Sequence, residues 1–176
     1  QVRWYQKICQ DGAASYGEYL RKCMQTDALL SGKGQELFRD SVLLQVRIHA
    51  HCFRGALLLC GSLLDGLEGN YQGAFYRAGK ARKEYLKADS ALREREHGKW
   101  QGFYGNECLT DIKQTAWVLQ GLMAYLRALG DGPHYYRWQR EYLYAEKDRR
   151  VMLIMNMENH LRDEELFALM EAKLEG

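Results

Sequence analysis

Only one proline, Pro133, stands among the 176 residues of this chain. Proline inside a helix removes a hydrogen bond and clashes with the preceding turn, so nothing of that kind interrupts the chain before residue 133. Its punctuation is glycine instead, in Ser31-Gly32-Lys33-Gly34, Asp65-Gly66-Leu67-Glu68-Gly69-Asn70 and Gly130-Asp131-Gly132-Pro133. Between these clusters the apolar residues recur every three to four positions, the period of an amphipathic helix.

Residues 2–30 place Tyr5, Ile8, Cys9, Ala13, Tyr16, Tyr19, Leu20 and Cys23 on one arc. Gly12 and Gly17 lie inside this helix; each costs about 1 kcal/mol relative to alanine, which is tolerable where a neighbouring helix comes close or the helix kinks. Residues 35–67 form a second helix whose apolar residues spread so widely that it is expected at the centre. Gln45 and His49 fall near the middle of its apolar arc, one turn apart, and are the candidate buried polar pair. A third helix, 71–96, has an alanine-rich face through Ala74, Ala78, Ala81 and Ala88, which implies close approach to its neighbour. Thr110 or Asp111 suits the cap of a fourth, running to about residue 129, with Ile112, Thr115, Val118, Leu119, Leu122, Tyr125, Leu126 and Leu129 inward.

Four such segments joined mostly by short turns predict a mainly α fold: an antiparallel four-helix bundle over residues 1–130, with a small irregular extension over 131–176 packed on it as one domain. Within the extension, Pro133 suits the first turn of a short helix to about residue 144. Val151-Met152-Leu153-Ile154-Met155 is either a helical turn or a strand pairing with 141–145 as a hairpin, and its period does not decide. A last helix over 163–174 has Asp163, Glu164 and Glu165 at its N-terminal dipole.

Composition excludes several functions. Basic and acidic side chains number 25 and 23 and are interleaved, so the net charge of +2 gives no field for nucleic acid. No apolar run approaches the roughly 20 residues of a membrane span, so no membrane partner is expected. The five cysteines, Cys9, Cys23, Cys52, Cys60 and Cys108, are odd in number, widely spaced and without a Cys-x-x-Cys pair. They read as reduced and buried, which favours a cytoplasmic setting. The chain starts at Gln1 within a helical pattern, as a piece of a longer protein would, so the neighbouring domains of that protein are expected partners and a removed export signal stays open.

Catalytic patterns are missing too. A ferritin-like di-iron bundle needs two Glu-x-x-His pairs from different helices, which this sequence does not supply. There is no Walker loop, dinucleotide-binding glycine pattern, nucleophile elbow or His-Glu-x-x-His, and no catalytic residue, metal or cofactor is expected. What remains is the stretch 98–111, Gly-Lys-Trp-Gln-Gly-Phe-Tyr-Gly-Asn-Glu-Cys-Leu-Thr-Asp, with three glycines, three rings, two amides and two carboxylates. Trp100, Phe103 and Tyr104 offer flat apolar faces to a sugar or a partner, while Asn106, Glu107 and Asp111 suit hydroxyl groups. Equally, the rings can plug one end of the bundle while Asn106 and Asp111 satisfy turn and cap donors.

The segment from Gly98-Lys99-Trp100 to Asp111, with its flanking helices and the later Trp138, Arg149 and Arg150, resembles the helical domains that follow the catalytic barrel in large bacterial carbohydrate-active enzymes. The resemblance implies a non-catalytic accessory domain of a glycoside hydrolase-like protein, with carbohydrate as a partner of the aromatic loop. A protein-interaction or structural module, in which the same rings dock a partner domain, is the other expectation.

Overall fold

The computed structural model describes residues 1–105, 112–132, 135, 137–149 and 160–176. Among these residues every regular element is a helix. The first, α1, spans Val2–Asp27. Next come α2, Gly32–Phe38, and α3, Leu44–Leu67, joined through a π-helical turn, Arg39–Leu43, into one rod. Then follow α4, Tyr71–Arg93, and α5, Ile112–Gly130. The extension contributes α6, Arg137–Leu143, and α7, Asp163–Glu175. The four-helix, mainly α expectation holds, with boundaries displaced by a few residues. Glu141 to Leu143 belong to α6, so they do not form the first strand of a hairpin; 151–155 lie outside the described residues.

Named contacts fix the direction of each rod. Gly12 of α1 faces the Phe53 ring, where an added Cβ would stand 2.5 Å from a ring carbon, and Asp27 at its end grips Arg39. The glycine inside α1 is therefore a close approach. Ser62 Oγ donates to the Ala74 carbonyl at 2.8 Å near the α3–α4 turn, while Leu44 and Leu92 share a cluster at the far end. Ile112 belongs to that same cluster, whereas Met123 and Leu126 lie with Ala74, Phe75 and Ala78. The rods thus alternate in direction and pack in chain order, α1 on α3, α3 on α4, α4 on α5. Asn70 caps α4 by accepting from the Gly73 N–H at 3.1 Å.

Small residues make the middle of this row tight. Ala74, Ala78, Ala81, Ala88 and Ala91 of α4 are all buried, as the alanine face implied. Helices at the edges are covered on one side only, and several residues expected inside face out. Tyr5, Ile8 and Tyr19 of α1 are exposed, and so are Val118, Tyr125 and Leu129 of α5, whereas Ile112, Leu119 and Leu126 are buried as expected. Apolar arcs on these helices are wider than the single neighbour that covers them. Gln45 and His49 are also exposed rather than buried, with the His49 ring 4.9 Å from that of Tyr16. Burial in α3 follows the small positions Ala50, Gly55, Ala56, Cys60 and Gly61, where its neighbours approach, not the centre of the bulky arc. The histidine that does form a sheltered polar pair is His51, whose Nδ1 lies 2.8 Å from Glu84 Oε2 of α4.

The extension is pinned by a buried arginine. Arg127 of α5 donates to Asp131 at 3.3 Å, to Asp163 at 2.9 Å and to the carbonyls of Leu161 and Tyr135 at 2.6 and 2.9 Å. Asp131 in turn accepts from the Trp138 N–H at 2.7 Å. A buried guanidinium is tolerable only when its donors are satisfied, and satisfying them draws α6 and α7 onto the α4–α5 core, where Trp138, Leu166 and Met170 are buried with Phe75.

Candidate binding cleft beside the aromatic loop

Past Arg93 the helix ends, and Gly98 and Gly102 take positive φ values of 55° and 77°, a conformation glycine adopts without steric cost. Two 3₁₀ turns result, Gly98–Trp100 and Phe103–Gly105. One carboxylate folds them back: Glu96 accepts from the Gly102 N–H at 3.1 Å and from the Tyr104 N–H at 2.8 Å. Among the site residues sequence reasoning missed, Glu96 is the one that shapes the loop. Its visible signal is an acidic residue just before a glycine-rich stretch whose backbone donors need partners.

Trp100, Phe103 and Tyr104 are brought together, each ring edge-on to the next. Trp100 and Phe103 lie 5.4 Å apart at 85°, Phe103 and Tyr104 5.3 Å apart at 81°. They form a stepped set rather than one flat platform. Trp100 and Phe103 are 50% and 51% exposed, whereas Tyr104 is half-buried against Leu44, Leu92 and Ile112. Tyr104 closes the end of the bundle, and the other two rings stand free of it. Lys99 Nζ lies 5.2 Å from the Trp100 ring centre, a cation–π contact on an exposed ring. Asn106, Glu107 and Asp111 lie outside the described residues.

Facing the rings is an element the sequence did not announce. The π-helical turn presents Asp40, and together Asp40, Leu44, Arg95, His97, Trp100, Phe103 and Tyr104 line a cleft of about 370 Å³. Arg95 Nε donates to Asp40 Oδ1 at 2.7 Å and its Nη2 to Glu36 Oε2 at 2.6 Å. His97 Nε2 lies 3.4 Å from the second Asp40 oxygen. Beside this, Arg39 holds Asp27 in a two-pronged pair at 2.7 and 3.0 Å. One extra residue per turn in a π segment reorients the side chains it carries, and such turns occur often at functional sites.

These pairs set the charge states. The Arg95 hydrogen bond, more than its mere proximity, holds the Asp40 carboxyl below its ordinary value against the opposing effect of burial, with His97 adding to the same direction. Glu36 is lowered for the same reason, and Arg95 is raised by its two carboxylate partners. Asp40 is therefore an acceptor rather than a proton donor at neutral pH. The cleft combines apolar rings, a fixed anionic acceptor and a cation already neutralised by two acids, which suits binding of an uncharged polar molecule. Glu94 and His97 do stand at the Glu-x-x-His spacing, yet Glu94 is engaged by Arg47 at 2.7 Å and His97 turns to Asp40. Among the described residues no group of three or more His, Cys, Asp or Glu is arranged to hold a metal ion.

A larger groove of about 500 Å³ lies between α1 and α3, lined by Val2, Trp4, Tyr5, Leu59, Cys60 and Leu63. It lacks converging charged groups, so the aromatic cleft is the better candidate. Comparison with protein-family models, curated proteins and solved structures finds no match to this chain.

Proposed function

We propose that this chain is a non-catalytic helical accessory domain of a carbohydrate-active, glycoside hydrolase-like protein, and that it contacts glycan through the Trp100–Phe103 cleft. The observation that carries the reading is the half-exposed ring pair standing over an ionised Asp40 that Arg95 fixes in place. An aromatic face receives the C–H side of a sugar ring, while a fixed carboxylate accepts its hydroxyl protons. The resemblance of Gly98-Lys99-Trp100 and its surroundings to domains of such enzymes supports the same class. Calorimetric titration with soluble plant and bacterial oligosaccharides tests it. Binding heat is expected for the parent chain, with a loss of about tenfold or more in affinity for Trp100→Ala and for Asp40→Asn. Flat titrations across the panel sink the glycan reading.

The perpendicular stacking of the rings favours a second reading, docking of a neighbouring protein domain, because a stepped surface fits side chains as well as it fits a flat sugar. In that case a neighbouring domain, and not an oligosaccharide, protects Trp100 from a soluble quencher.

A further inference from the structure

The outward face of α5 is almost free of charge. Trp117, Val118, Tyr125 and Leu129 are 60%, 71%, 62% and 46% exposed, and the remaining exposed positions are Lys113, Gln114, Gly121, Ala124 and Ala128. At 100° per residue Gly121 sits at the centre of this face, with Trp117 and Tyr125 one turn away on either side. Glycine in a helix interior is disfavoured relative to alanine, and in the long helices α1 and α3 Gly12 and Gly55 have a reason, making room for the rings of Phe53 and Tyr85. At Gly121 a Cβ would meet no atom within 4 Å. The chain's own described packing does not call for it.

We infer that α5 is a homodimerisation helix, on which a second copy of this chain crosses antiparallel at Gly121. The pattern about Gly121 is self-complementary, as a two-fold interface requires. A two-fold axis through that point sets Trp117 of one copy beside Tyr125 of the other, twice, and Val118 beside the smaller Ala124. It sets Lys113 beside Leu129, so the two lysines stand at opposite ends and no like charges meet. A heterologous helix would instead need its own match to both rings and to Lys113. The area also fits. A buried aromatic side chain covers about 150–250 Å², so the four large apolar residues leave on the order of 500 Å² per copy, or about 1,000 Å² in all, the lower bound for a specific interface. The dimer is accordingly weak and reversible.

Sedimentation velocity across a concentration series reads this directly. The parent chain is expected to pass from one copy to two as concentration rises, and Val118→Lys to remain single. Gly121→Ala separates the two roles a glycine can have: its melting temperature at low concentration should rise, because the helix gains alanine, while its dimer weakens by about tenfold. A parent chain that stays single at every concentration overturns the proposal, and that is also the result if the face serves a different protein. Dimerisation of Val118→Lys equal to the parent, or a lower melting temperature for dilute Gly121→Ala, overturns it as well.

Discussion

At the scale of single residues, the His51–Glu84 pair shows how a helix face hides a charge. Burial alone would push the Glu84 carboxyl up, but hydrogen bonds from His51 and Lys87 outweigh it and bring it down from 4.5 to about 2. A lowered carboxyl stabilises the fold above the ordinary carboxylate range and loses that contribution as pH falls from about 4.5 toward 2, since the unfolded chain takes up the proton first. Glu84→Gln keeps the size and removes the charge. Urea melts should show it less stable than the parent by about 1–3 kcal/mol at pH 7, a gap that narrows as pH falls through that window; a constant gap across pH would mean that the charge is irrelevant. Periodicity led to His49 as the sheltered histidine because it treats an apolar arc as the packing centre. What decides burial is where a neighbour's backbone can approach, and in α3 that is set by Ala50, Ala56 and Cys60.

At the scale of elements, the helices were legible because glycine clusters and apolar period both point to the same boundaries. Asn70 before α4 and the acidic first turn of α7 are local signals of this kind. The π turn was not legible. Its wider hydrogen-bonding ring has no residue signature, and it persists because Arg39 and Asp40 are each held by partners far along the chain, Asp27 and Arg95. The fixed carboxylate of the candidate site, Asp40, therefore came from an element that sequence period cannot show, while Trp100, Phe103 and Tyr104 were visible as rings too many for a turn. Deleting Ser41 should restore a regular helix, rotate Arg39 and Asp40 out of register with their partners, and weaken glycan binding at least as much as Asp40→Asn while the helical circular dichroism signal is kept. Unchanged binding by the deletion variant would show that the turn does not build the cleft.

At the scale of the molecule, protection is expected to follow the row. The helices α4 and α5 share a core with α6 and α7, with Phe75, Leu119, Met123, Trp138 and Leu166 fully covered, whereas in α1 only Cys9 is buried. Native-state hydrogen exchange should therefore find α1 opening first and α4 last; uniform protection across all four long helices would mean that the row behaves as a single cooperative block. Since each long helix lies against the one before it in the chain, the contacts that hold the row together join neighbouring segments of sequence. Low contact order of this kind favours rapid folding. During synthesis, α1 and α3 can pair as soon as α3 has left the ribosome, and each later helix adds to an edge already formed.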